Sequence, residues 1–135
     1  MSDAIPSNAS IDVATRLNRL GRFARLLEIT PHLSVRINTG NHLREPLDDL
    51  YQLCYQDGWV LTGFNWPSWS EGRLLIQDRS KLSKASADDL ARLLTLLIRQ
   101  DRFCEGTWEE AYDSGLLFAI THRAKEIASA MDSKR

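Results

Sequence analysis

Residues 86–108 read SADDLARLLTLLIRQDRFCEGTW, and no other stretch restricts the fold as tightly. Leu90, Leu93, Leu94, Leu97 and Ile98 recur at spacings of three and four. At 100° per residue they share a face about 140° wide, the pattern of a helix with one side in a core. Ser86 stands ahead of the pattern, with Asp88 and Asp89 in the first turn. A hydroxyl there satisfies free N–H groups, and acids there complement the positive helix end. Such a helix must bury its leucines against other elements, which predicts helix packed on helix.

The same rotation carried onward places Cys104 near the line of Leu93 and Leu97. The helix is therefore expected to run through Cys104, tuck its thiol inward and bend at Gly106, a residue suited to a left-handed helix end. Asp101 falls within the apolar face and Glu105 at its edge. Burying an ionised carboxylate without a partner costs several kcal/mol, so each acid is expected at a helix end or in an ion pair, with Arg123 a candidate partner for Asp101. Thr107-Trp108-Glu109-Glu110 reads as a T-x-x-E capping box for the next helix. On this reading RQDRFCEG is a corner, and an inward Cys104 lacks the exposure and cationic neighbour that activate a thiol.

Upstream, Val13, Leu17, Leu20, Phe23, Ala24 and Leu27 form a second helical stripe, with Ser10 as its expected N-cap and Arg19, Arg22 and Arg25 as a basic ridge on the opposite side. Leu33, Val35 and Ile37 alternate with polar residues, as in a short strand that "WVLTGF" at 59–64 would pair with. Leu47, Leu50, Tyr51 and Cys54 mark the inward face of a helix over 45–57. Residues 64–80 show no regular period, and Pro67 forces a turn that projects Trp66 and Trp69 close together. A short helix from Trp108 should stop at Asp113-Ser114-Gly115. Leu117, Ile120, Ala124, Ile127 and Met131 then define a last helix over 116–131. The predicted fold is mainly α, a compact bundle of about five helices with room for a minor two-stranded β-ribbon. Residues 1–10 and 132–135 are expected to be disordered ends of a single domain, 11–131.

Charge and composition exclude several functions. A net charge of −1 is not that of a strongly basic nucleic-acid binder. The charge is uneven: residues 1–44 hold six arginines against three acids, and residues 45–135 hold eleven Lys or Arg against fifteen. No run approaches the ~20 apolar residues of a membrane span, and the polar start has no leader pattern, so the cytoplasm is the expected compartment. Cys54 and Cys104 show no C-x-x-C pairing and are expected to be free thiols, Cys54 in the core. His32, His42 and His122 stand at no metal-ligand spacing, and neither metal nor cofactor is expected.

Several of these features occur together as a recognisable set. FNWPSW at 64–69, LLTLLIRQDRFCEG at 93–106, and Gly115, Ile120 and Arg123 downstream form an F-x-W-x-x-W element, an L-L-T, an R-x-D-R-F-x-E-G signature and a closing helix with glycine and arginine. Over roughly residues 45–130 the chain resembles a bacterial domain-of-unknown-function family. The resemblance brings no activity, cofactor or ligand with it.

Three functions compete on these residues. The favoured one is a non-catalytic binding module, engaging a protein partner or a second copy through an apolar patch at Trp66, Trp69 or Trp108. The second is a site for a small anionic molecule, as binding protein or enzyme, between the tryptophan loop and the corner. There Trp66 and Trp69 would form a wall, Asp101 or Glu105 would act as acid or base, and Arg99, Arg102 or Arg123 would hold the anion. The third is weak nucleic-acid contact along Arg19, Arg22 and Arg25. Catalytic residues are not assigned.

Overall fold

The computed structural model describes residues 12–29 and 45–133, and helices make up all of the regular secondary structure among them. In chain order these are α1 (Val13–Gly21), α2 (Phe23–Ile29), α3 (Glu45–Gln56), a 3-10 turn (Trp66–Ser68), α4 (Glu71–Gln77), α5 (Arg79–Leu82), α6 (Ala87–Phe103), α7 (Thr107–Asp113) and α8 (Leu116–Ser133). The helices over 45–56, 87–103, 107–113 and 116–133 answer to elements expected from the sequence, with α6 ending before Cys104 and α8 running past 131. Residues 64–80, expected to be irregular, contain α4 and reach into α5.

The central helix, α6, is buried on every side from Leu93 to Ile98. Its start is the expected one. The Ser86 hydroxyl accepts the Asp89 N–H (3.1 Å) while the Asp89 carboxylate accepts the Ser86 N–H (3.2 Å). Leu17, Leu20, Leu47, Leu50, Leu117 and Ile120 close around it in one core. α8 lies along α1 and α2, and Gly21 permits the approach: a Cβ there would stand 2.9 Å from the Lys125 Cα. Cys54 is buried as expected, and burial, with the negative charge of Asp57 adding to it, pushes its thiol pKa up.

Several expectations are corrected. α1 is capped by the Asp12 carboxylate, which accepts the Thr15 N–H at 2.8 Å; Ser10 lies outside the described residues. Val13 and Met131 are exposed at the outer ends of their stripes. The segment 33–37 lies outside the described residues, and its proposed partner 59–64 forms no strand. The reason is local. The Trp59 and Val60 N–H groups both donate to the Cys54 carbonyl, and the Leu61 N–H donates to the buried Thr95 hydroxyl at 2.8 Å. That hydroxyl directs its own proton toward the Ala91 and Trp59 carbonyls (2.8 and 3.1 Å). Donors a strand partner would need are thus already held by α3 and α6. α8 runs to Ser133, two residues past the expected domain end; residues 1–10 and 134–135 lie outside the described residues.

Candidate functional site

The corner at the end of α6 departs most from expectation. α6 stops at Phe103, and Cys104 takes an extended conformation (φ −126°, ψ 91°), so the helical rotation that would have carried its thiol inward ends one residue early. Cys104 is exposed. The cause lies in the next helix. Asp101 Oδ1 accepts the Trp108 N–H at 3.0 Å, holding one of the free donors of α7, and Gly106 (φ 102°) supplies the left-handed step that folds the chain back. No T-x-x-E box forms, since Gly106 is the N-cap and the Thr107 hydroxyl instead donates to the Cys104 carbonyl at 2.8 Å. Arg123 is not the partner of Asp101. Its Nε donates to the Ala85 carbonyl at 2.8 Å, and its Nη1 stands 3.5 Å from Glu126.

Phe103, the last residue of α6, is 78 % exposed. Its ring lies 6.1 Å from that of Trp66, tilted by 34°. Beneath them opens a cleft of about 420 Å³ lined by Leu61, Phe64, Trp66, Pro67, Phe103 and the two arginines Arg99 and Arg102, with Gly63 at its edge. Arg102 reaches across to the Tyr55 hydroxyl at 3.1 Å. Arg99 is half-buried and makes no ion pair among the described residues. Among the described residues, no carboxylate, imidazole, thiol or hydroxyl side chain lines the cleft.

Of the seven residues singled out from sequence, Trp66, Arg99 and Arg102 come together here. Trp69 packs away from the cleft, edge-on to Phe64 at 5.7 Å and against Gly72, where a Cβ would stand 2.6 Å from its ring. Asp101 is committed to Trp108. Glu105 is exposed and Arg123 lies in another cleft. Trp108 is buried, donating from Nε1 to the Leu47 carbonyl at 3.1 Å and meeting Tyr51 edge-on at 5.3 Å. The Tyr51 phenol pKa is raised, by burial first and then by Tyr55 and Asp101 nearby, with Arg102 pulling the other way.

A model of DUF6508, a family of unknown function, matches residues 19–130. The chain belongs to DUF6508. The match begins inside α1, well before residue 45 where the motif resemblance starts. No curated protein and no solved structure matches the chain significantly.

Other polar groups of this DUF6508 chain lie away from this cleft. On α1, Arg19 Nε turns to within 2.9 Å of Oδ2 of Asp57, a carboxylate only 1 % exposed, while Arg16 lies 4.6 Å over the Trp59 ring. The approach of Arg19 is off-axis, so the pair is held by charge; both Asp57 oxygens, Arg16 Nε and Trp59 Nε1 lack aligned hydrogen-bond partners. Arg19 and Arg22 line one cleft together, and Arg22 and Arg25 line another with Lys125. His122 and Glu126 stand 3.8 Å apart on α8, both about half-exposed. Among the described residues no cluster of three His, Cys, Asp or Glu is placed to hold a metal ion, and no helix is long and apolar enough to cross a membrane.

The residue that sequence reasoning misses is Phe103. Its signal is nonetheless present: on the α6 wheel it stands about 150° from the centre of the leucine face, on the side of Arg99. A phenylalanine on the polar face of a core helix is an exposed apolar group with no packing role.

Proposed function

We propose that this DUF6508 chain is a non-catalytic recognition domain that docks a protein partner at the cleft between Trp66 and Phe103. One observation carries the reading. Phe103, 78 % exposed, lines a cleft whose other walls are leucine, glycine, tryptophan, phenylalanine, proline and arginine. Leaving a phenylalanine side chain in water forgoes about 1.5–3 kcal/mol of burial. Aromatic residues and arginine around a pocket are also the side chains that dominate binding energy at protein interfaces.

The chemistry of the cleft favours recognition over reaction. Proton transfer needs a group that titrates near neutral pH within hydrogen-bond reach of substrate, and nucleophilic catalysis needs an activated hydroxyl, thiol or amine. Among the described residues the cleft lining supplies neither.

Selection of a random peptide library on the folded protein tests the reading whatever the partner's identity. Peptides should be enriched whose affinity falls about thirtyfold in Phe103→Ala, matching the ~2 kcal/mol loss of an interface anchor. Leu74→Ala, at an exposed leucine elsewhere on the surface, should leave their affinity unchanged. Enriched peptides indifferent to Phe103, or no enrichment at all, would sink it.

A further inference from the structure

The cleft also carries information about what fills it. Arg99 and Arg102 both line it, and neither forms an ion pair among the described residues. Among the described residues, Arg102 has a phenol as its partner and Arg99 has none. The nearest acid in sequence, Asp101, is turned away and held by the Trp108 N–H.

A partner that covers Phe103 and Trp66 also covers these guanidinium groups and strips their water. A neutral partner would leave half-buried Arg99 desolvated and unpaired, which is costly. A basic partner would add repulsion. A carboxylate answers both problems, since the planar guanidinium fork accepts it with two parallel hydrogen bonds. The apolar walls ask for something else from the same ligand: Leu61, Phe64, Trp66, Pro67 and Phe103 present no donor or acceptor side chain except the Trp66 indole N–H, and so suit an aliphatic or aromatic group.

We infer that the occupant of the Trp66–Phe103 cleft is an acidic protein segment, in which an apolar anchor residue fills the aromatic walls while a flanking Asp or Glu pairs with Arg99 and Arg102. This rests on the recognition reading above and adds the charge and the anchor to it.

The library selection separates the two claims. Peptides enriched on the wild-type protein should carry Asp or Glu beside a large apolar residue. Their affinity should fall at least about tenfold in Arg99→Gln/Arg102→Gln with the melting temperature unchanged, and should weaken as salt is raised. Phe103-dependent peptides without acidic residues, or binding that survives the double arginine variant, would overturn the acidic partner and leave the recognition domain standing. Absence of any Phe103-dependent peptide would remove both. Two further measurements cover other occupants: sedimentation showing a dimer that Phe103→Ala dissolves would assign the cleft to a second copy, and displacement of the peptides by inorganic pyrophosphate at lower concentration than by a competing acidic peptide would assign it to phosphate. Either result would overturn the inference.

Discussion

Asp101 Oδ1 accepts the Trp108 N–H at 3.0 Å across the turn between α6 and α7, and this contact sets the shape of the surface beside it. By holding the start of α7 it ends α6 at Phe103 and leaves Cys104 outside the helical rotation, exposed. Asp101→Ala should destabilise the protein by about 1–2 kcal/mol, the usual loss for a helix-capping side chain. Asp101→Asn keeps an acceptor oxygen and should recover most of it. Urea melts of the three proteins check this, and equal midpoints for wild type and the alanine variant would contradict it.

The two cysteines should respond oppositely to a thiol reagent. Cys104 is exposed, whereas Cys54 is buried with its thiolate disfavoured by burial. Titration of the native protein with an aromatic disulfide should consume one thiol promptly, and Cys104→Ser should abolish that phase. The second thiol should react only on unfolding. Two fast equivalents in the native state would mean that Cys54 is not in the core.

Arg19 and Asp57 join α1 to the end of α3. Because Asp57 is buried while Arg19 is 40 % exposed, removal of the arginine should cost about 2 kcal/mol, less than the 3–5 typical of a fully buried pair. Arg19→Ala/Asp57→Ala should be more stable than Arg19→Ala, since the double variant leaves no buried charge unpaired. Guanidinium denaturation of the single and double variants decides this, and strict additivity would show that the two groups do not interact.

Asp78 ends α4 and caps α5, and its carboxyl pKa is held below the ordinary 3.8, first by the Ser80 hydroxyl and then by the Ser80 backbone N–H. A lowered folded-state pKa means that this contribution to stability is present above the ordinary value and is lost as pH falls through the lowered one. A carboxyl-carbon NMR titration should give Asp78 a midpoint under 3.8, and Ser80→Ala should move it upward. A midpoint unaffected by Ser80 would assign the shift elsewhere.

Much of the core is legible in the sequence because α3, α6 and α8 run for twelve residues or more, long enough to display a period. α4 and α5, with seven and four residues, have too few turns to show one. The ribbon fails at Leu61, where a short aromatic and β-branched run suggests a strand but a threonine thirty-four positions away takes the N–H. The pairing of Arg19 with Asp57 joins residues far apart in the chain, so no local pattern announces it. The corner is half-readable. Asp101 stands out as an acid needing a helix end or a partner, yet extrapolating the α6 rotation past Phe103 assumes a helix that Asp101 itself brings to a close. Family membership extends the recognised region to residue 19. Trp66, Arg99 and Arg102 stand out because their residue types suit recognition; Phe103 does not, because a single phenylalanine in a leucine-rich helix looks like one more core residue until its place on the wheel is counted.

The four tryptophans provide the most direct measurement. Trp59 and Trp108 are buried, Trp69 is turned onto Phe64 and Gly72, and Trp66 alone lines the cleft with Phe103. The nitrogen-15 labelled protein is titrated with a peptide enriched by the selection, and the four indole N–H resonances are followed. The predicted result is a large, saturating shift of the Trp66 resonance, small changes at the other three, and loss of the response in Phe103→Ala. A saturating titration that leaves Trp66 unmoved while perturbing the backbone of Arg22, Arg25 and Lys125 would contradict docking at the cleft.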